Sequence, residues 1–372
     1  MMKKVLIVFG TRPEAIKLAP LALMLKESSV FNTKLCVTGQ HRDMLDQVLN
    51  IFSLKPDFDL DVMKANQSLV SLTSNIMIRL DEVLEKFQPD FIIVHGDTTT
   101  TLGSTLSAFY RNVKICHVEA GLRTGNLHSP WPEEANRLLT GHLADINFCP
   151  TKLAKENLLK ENINPNKIIV TGNTVVDSLF LAKKIISDDA SLNTKFKEKF
   201  NFFSNRVVLI TGHRRESFGK GFQNFCSALE HLAKKYKDVN FVYPVHLNPN
   251  VKNIVEEKLS NISNIFLLPP VDYLSFIYLM DNCYLIITDS GGIQEEAPSL
   301  GKPILITRDV TERPEAINLG NAKLVGMNEK KIINEVSMLL DNEEEYTKIK
   351  SLENPYGDGK ASLRIKEYLI NQ

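Results

Sequence analysis

The sequence has no surplus of charge of either sign. Lysine plus arginine total 44, aspartate plus glutamate total 44, and the formal net charge is zero. Nucleic acids and anionic membranes attract a basic surplus, so neither is expected as the main partner. Any anionic ligand must then be held by a local cluster of cations or by helix ends. Cysteine is scarce: Cys36, Cys116, Cys149, Cys226 and Cys283 are scattered, and no C-x-x-C occurs. That pattern fits a reducing cytoplasm better than a disulfide framework or a structural zinc site. Long apolar runs are missing too, and none reaches bilayer-spanning length. The apolar start Val5–Phe9 is too short for a signal peptide and runs at once into Thr11-Arg12-Pro13-Glu14. It reads as a buried first strand.

Several catalytic fingerprints are absent as well. There is no G-x-G-x-x-G, so the usual dinucleotide-binding turn is missing. There is no G-x-x-x-x-G-K-S/T, no H-E-x-x-H and no G-x-S-x-G elbow. Neither NAD nor a metal is therefore expected as a cofactor. The eight histidines are dispersed.

What is present is a rhythm. A chain of 372 residues exceeds what one core comfortably supports, so two domains are expected. Strand candidates Lys4–Phe9, Lys34–Thr38, Phe91–His95, Lys114–Val118, Asp145–Cys149 and Ile168–Thr171 alternate with helical stretches such as Glu14–Lys26 and Leu69–Phe87. This is the β-α-β pattern of a parallel, doubly wound sheet. After residue 172 the rhythm restarts. A polar helical excursion, Asp188–Asn205, precedes strand candidates Val207–Thr211, Asn240–Val245, Ile265–Leu268, Tyr284–Thr288, Pro303–Ile306 and Lys323–Val325. Two α/β domains imply a cleft, with ligands beyond the carboxyl ends of the strands.

The polar, sharply turned residues fall at those ends. Gly10-Thr11-Arg12-Pro13-Glu14-Ala15-Ile16-Lys17 follows the first strand, with two cations beside a helix start that already attracts anions. His95-Gly96-Asp97-Thr98 ends another strand, where Asp97 has an alternative reading as a helix N-cap. His117-Val118-Glu119-Ala120-Gly121-Leu122-Arg123 ends the next, and Glu119 has no comparable capping role. Carboxylates on adjacent strand ends facing one cleft suit acid–base work. Glu133 and Arg137, four apart, read by themselves as a surface ion pair. Gly212-His213-Arg214-Arg215 offers a phosphate cradle or else a solvated basic turn. Asp289-Ser290-Gly291-Gly292 lets backbone N–H groups approach a pyrophosphate, Glu296 can bind ribose hydroxyls, and Arg313 adds a cation.

Taken together and in order, these motifs, with Pro132-Glu133-Glu134-Ala135-Asn136-Arg137 and Glu312-Arg313-Pro314-Glu315, resemble the bacterial, non-hydrolysing UDP-N-acetylglucosamine 2-epimerases. The resemblance runs from residue 3 to about residue 365. It implies a GT-B fold: two Rossmann-like domains with parallel sheets facing a central cleft. The domains would be 1–172, joined by a returning C-terminal helix at about 356–372, and 173–355. It implies a homodimer that binds UDP-GlcNAc and UDP-ManNAc and feeds cell-surface polysaccharide. Arg12, Lys17, Asp97, Glu119, His213, Phe276, Ser290, Gly291, Gly292, Glu296 and Arg313 match substrate-contact positions. Asp97, Glu119, Glu133 and His213 match positions tied to catalysis. Gln40, Gln67, Arg214 and His246, with Glu133 shared, match a site for a second UDP-GlcNAc that activates. Val271 departs from relatives that carry Gln there, so any uracil contact at 271 must come from backbone.

The chemistry agrees with that resemblance. The hydrogen on sugar carbon 2 is not beside a carbonyl and is barely acidic. Inversion needs transient oxidation or loss of the anomeric group, and the missing NAD turn weakens the first. Loss of UDP leaves a glycal, to which UDP can re-add once the proton has returned to the other face. Asp97 with Glu119 or Glu133 would supply base and acid, and Arg12, His213 and Ser290–Gly292 would stabilise departing UDP. Which carboxylate serves which face stays open. So do four other readings: a hydrolysing epimerase releasing ManNAc and UDP, an epimerase of a modified UDP-sugar, a GT-B glycosyltransferase, and a catalytically dead nucleotide-sugar sensor.

Overall fold

The alternating apolar runs become two parallel sheets. The computed structural model describes residues 2–39, 42–63, 67–212 and 219–372. The chain divides into two compact units: unit 1 is Met1–Phe180 with Tyr356–Gln372, and unit 2 is Leu181–Pro355.

The strands of unit 1 are β1 (Lys3–Phe9), β2 (Phe31–Val37), β3 (Phe58–Asp59), β4 (Phe91–His95), β5 (Lys114–Val118), β6 (Ile146–Cys149) and β7 (Ile168–Val170). Between and after them run α1 (Arg12–Lys26), α2 (Arg42–Ile51), α3 (Leu69–Phe87), α4 (Thr99–Tyr110), α5 (Glu133–Leu143), α6 (Lys152–Lys160) and α7 (Thr174–Asp188). Among the described residues these strands form one sheet in the order β3-β2-β1-β4-β5-β6-β7. All its pairings are parallel, with Ile7 opposite both Leu35 and Ile93. Leu6, Val8, Ile92 and Val94 pack with Leu72, Ile76 and Leu80 of α3. The alternate residues Val5, Ile7, Phe9 and Ile93 are buried as well. A central parallel strand is covered on both faces, which is why it reads as a continuous apolar run rather than an alternation. Each such side chain contributes about 1.5–3 kcal/mol of burial.

Unit 2 begins within α7 and continues with α8 (Ala190–Lys199), β8 (Arg206–Thr211), α9 (Lys220–Lys235), β9 (Val239–Pro244), α10 (Pro249–Leu259), β10 (Ile265–Leu268), α11 (Tyr273–Asn282), β11 (Leu285–Thr288), α12 (Gly291–Glu296), β12 (Ile304–Ile306), α13 (Pro314–Leu319), β13 (Ala322–Leu324), α14 (Glu329–Asp341) and α15 (Glu343–Lys350). Its described strands form a parallel sheet in the order β10-β9-β8-β11-β12-β13. Phe222, Phe225, Leu229, Phe241, Leu285 and Ile287 lie in its core. The last helix, α16 (Ala361–Ile370), belongs to unit 1.

Both strand orders reverse direction once, beside β1 and beside β8. Such a reversal opens a crevice at the strands' carboxyl ends. The strand boundaries differ from the sequence reading by a residue or so in most places, and by three at the start of β2. The sequence reading ends the first domain at 172, but the division lies inside α7. There Ser178 Oγ donates to the Ile16 carbonyl at 2.6 Å, and the Asp177 carboxylate accepts from the N–H groups of Ala361 and Ser362 at 3.2 and 2.8 Å. Those bonds hold the first half of the helix to unit 1. No helix among the described residues is long and apolar enough to cross a membrane.

Candidate active site

In unit 1 the polar side chains gather at the carboxyl ends of β1, β4 and β5. Thr11 caps α1, its Oγ1 accepting from the Glu14 N–H while the Glu14 carboxylate accepts from the Thr11 N–H at 2.7 Å. This reciprocal cap fixes where the helix starts. A side chain at Gly10 would collide with the hydroxyls of Thr38 and Thr100, so only glycine fits the turn. The Glu14 carboxylate also accepts from the Gly10 N–H at 3.0 Å and the Thr98 hydroxyl at 2.6 Å. Burial raises this carboxyl above its usual range, and the donors, Thr98 foremost, pull back against it. Glu14 thus ties the β1 turn to the β4 turn.

Glu119 follows β5 with φ +63°, a left-handed conformation uncommon for its residue type. Its carboxylate pairs with the buried Lys17 ammonium from α1 and accepts from Asn173 Nδ2 at 2.9 Å. His95 Nε2 lies 3.6 Å from the same oxygen. Burial lowers His95 to about 4, so the imidazole is neutral near pH 7. His117 is also lowered by burial to about 4, and its Nε2 sits 2.7 Å from the Gly96 carbonyl, which a neutral ring meets by donating.

Asp97 stands just before Thr98, which is the residue that caps α4. The N-cap reading of Asp97 is therefore corrected by one position. Arg137 Nη2 donates to Asp97 Oδ2 at 2.5 Å, and Asn136 Nδ2 donates to the Asp97 carbonyl at 2.9 Å. Burial pushes the Asp97 carboxyl up, Arg137 opposes, and the nearby charges of Glu119 and Glu133 push it further up. The surface-pair reading of Glu133 with Arg137 is also corrected. Arg137 is buried and turns inward to Asp97 and to Glu134, whose Oε2 lies 3.2 Å from Nη1. Glu134 Oε1 accepts from the N–H groups of Thr124 and Gly125 at 2.9 and 3.0 Å, closing the loop that leads to α5. Glu133 is the first residue of α5 and half-buried, and Arg12, also half-buried, is the first of α1.

In unit 2, β11 ends at Thr288 and Ser290 takes the N-cap position of α12, with Gly291 and Gly292 next. Arg313 crosses this turn. It donates to Glu295 Oε1 at 2.6 Å and to Glu312 Oε1 at 2.7 Å, and a Cβ at Gly291 would lie 2.6 Å from its Nη1. Burial opposes ionisation of Glu312, but Arg313 and then Arg308 outweigh it and hold the carboxyl at about 2. Glu296 Oε1 accepts from the Tyr273 hydroxyl at 3.2 Å, and Phe276, half-buried, lies on the same helix α11. On the adjoining strand β8, Thr211 Oγ1 is 2.6 Å from Thr288 Oγ1.

Thus Lys17, Asp97, Glu119 and Glu133 lie together in unit 1, and Ser290, Gly291, Gly292, Glu296 and Arg313 lie together in unit 2. Gln67 precedes the Ser68 cap of α3 in unit 1. His246 follows β9 in unit 2, its Nδ1 accepting from the Asn248 N–H at 3.1 Å. His213, Gln40 and Arg214 lie outside the described residues. The sequence gives no functional role to His95, His117, Glu134, Asn136, Arg137 or Asn173. All but Asn173 stand inside the strand-end and helix-start motifs, and that position is the available signal.

Residues 23–370 match the family model described as UDP-N-acetylglucosamine 2-epimerase. The UDP-N-acetylglucosamine 2-epimerase of Yersinia pestis is 54% identical over 370 residues, which covers 99% of this chain and 98% of that one. That of Escherichia coli strain K12 is 52% identical over 370 residues, with coverage of 99% and 98%. The crystal structure of UDP-GlcNAc 2-epimerase from Neisseria meningitidis bound to UDP-GlcNAc matches with a TM-score of 0.92 at 50% identity, covering 99% of this chain and 100% of that chain. The α/β fold read from the sequence, of GT-B type, is shared with these structural neighbours.

Proposed function

Since the chain belongs to the UDP-N-acetylglucosamine 2-epimerase family, we propose that it interconverts UDP-GlcNAc and UDP-ManNAc by elimination and re-addition of UDP. The activity is that of an isomerase. Elimination breaks the bond from carbon 1 to the UDP oxygen and the carbon 2–hydrogen bond, with the proton passing to a carboxylate. Re-addition returns a proton to carbon 2 from the opposite face and reforms the bond to UDP. The sugar's composition is unchanged, with only the hydrogen on carbon 2 exchanged, and no redox partner is consumed.

The observation that carries this reading is Glu119, held in a left-handed conformation at the end of β5 and ion-paired with Lys17, with Asp97 close enough for their charges to interact. Ion-paired Glu119 suits taking a proton. Asp97, raised by burial, suits giving one. In the reverse direction the two exchange roles. Glu133, whose charge also acts on Asp97, sits at the same site. In unit 2 the Ser290–Gly292 turn with Arg313 supplies donors and positive charge for the pyrophosphate. Glu296 takes the ribose hydroxyls and Phe276 packs on the base.

The test is NMR of purified protein with UDP-GlcNAc and EDTA in deuterium oxide. UDP-ManNAc should form, and both sugars should gain deuterium at carbon 2. Epimerisation without exchange would remove the elimination route. Free ManNAc as the main product would make the enzyme a hydrolysing one, and no reaction would overturn the activity itself.

A further inference from the structure

Lys17 supplies charge to Glu119, and a point charge on a flexible stem directs a carboxylate less strictly than a planar amide does. Direction comes from a second donor. Asn173 is 2% exposed and follows Gly172, at the end of the edge strand β7. Its Nδ2 donates to Glu119 Oε2 at 2.9 Å. Its Oδ1 accepts from the Val175 N–H at 3.0 Å, in the first turn of α7. Because Oδ1 faces an N–H, the amide cannot flip, and only its NH2 can meet the carboxylate. Its own N–H donates to the Tyr356 carbonyl at 2.7 Å. A Cβ at Gly357 would lie 3.3 Å from Gly172 Cα, so the two backbones press together there and hold Asn173 in place.

We propose that Asn173 is a positioning residue for the epimerisation, fixing the rotation of the Glu119 carboxylate and stabilising its charged form. The proposal rests on the reading of Glu119 as an acid–base group. A reacting carboxylate must be aligned to be efficient, and small misplacements cost large factors. Glu119 needs such a hold, because its left-handed backbone persists only where the surroundings over-determine it. Tyr356 opens the segment that rejoins unit 1 after unit 2, so the same asparagine connects that segment to the reacting carboxylate.

The test uses the full chain carrying Asn173→Asp or Asn173→Ser. Aspartate keeps the shape and the bond to the Val175 N–H but replaces the NH2 donor with a second carboxylate. Serine is too short to reach Glu119. Wild-type turnover with deuterium uptake at carbon 2 is established first, and its failure would overturn the function and not this role. Both variants should keep the wild-type circular dichroism and a cooperative melt. Each should lose about tenfold or more in kcat, with KM for UDP-GlcNAc changed by less than about twofold, the pattern of a lost reaction-step interaction. The acid limb of the kcat profile should move to higher pH in both, because a carboxylate that loses a donor binds its proton more tightly. It should move further in Asn173→Asp, where a like charge stands beside Glu119. Wild-type kcat with an unmoved acid limb in either folded variant, or a rise in KM alone, would overturn the proposal.

Discussion

Asp97 and Glu119 leave neighbouring strands, yet each is held by different chemistry. Glu119 has an ammonium and an amide, and Asp97 has a guanidinium shared with Glu134. Replacing either carboxylate by its amide keeps the shape and removes proton transfer. Asp97→Asn and Glu119→Gln should each lower kcat by roughly a hundredfold or more. Thermal melts should change little, because Arg137 keeps Glu134 and Lys17 stays beside an amide oxygen. Near-normal turnover in either variant would take that residue out of the reaction. At this scale the sequence revealed identities at strand ends and little else. Arg137 shows why. Its spacing from Glu133 matches a surface pair, but the buried side of α5 carries Glu134, Asn136, Arg137 and Thr140, a polar stripe that no apolar periodicity announces. Asn173 was equally hidden, since its partner is Glu119, far away in sequence.

The helices and strands were more legible, because both report their burial through apolar spacing. Leu69–Phe87 and Ile265–Leu268 are found at the residues the spacing marks. The strand Phe58–Asp59 escaped, being too short to show a period and recognisable only by its pairing with Cys36 and Val37. The turn into α12 was legible through its glycines, and the structure supplies a further reason for one of them. Gly291 leaves room for the Arg313 guanidinium, which is tied to Glu295 and Glu312 and cannot withdraw without releasing one. Gly291→Ala should therefore displace Arg313 while leaving the β11–α12 frame intact. Calorimetry should show UDP binding weakened by about tenfold, the loss of one charge-assisted contact, with the melting temperature lowered by only a few degrees. Unchanged affinity for UDP would remove Arg313 and this turn from the nucleotide site.

On the scale of the whole molecule, the restart of the strand rhythm after residue 172 announced two units. Periodicity alone does not say which unit a C-terminal helix joins, since a helix's spacing tells only that one face is covered. Family resemblance supplied that expectation. In the structure α16 packs with α1 and buries Ile365 and Leu369. Lys3 Nζ donates to the carbonyls of Leu369 and Ile370 at 3.0 and 2.9 Å. A chain ending at Pro355 would uncover α1 and strip Asp177 of the backbone donors at Ala361 and Ser362. Hydrogen exchange followed by mass spectrometry should show protection lost in α1 and α7 but kept in β8, β9 and β11. Equal protection of α1 with and without the segment would show that unit 1 does not depend on it.

Unit 1 is written in two pieces with unit 2 between them, and this sets an order on synthesis. Unit 2 is continuous, so it can close as soon as Pro355 clears the ribosome. The first unit, although begun earlier, waits for Ala361–Ile370. Between Phe180 and Tyr356 the nascent chain grows with the α1 surface uncovered, for roughly ten to thirty-five seconds at about 5–20 residues per second. The enzyme's older half is thus the last to be finished, and α1 waits longest for its cover.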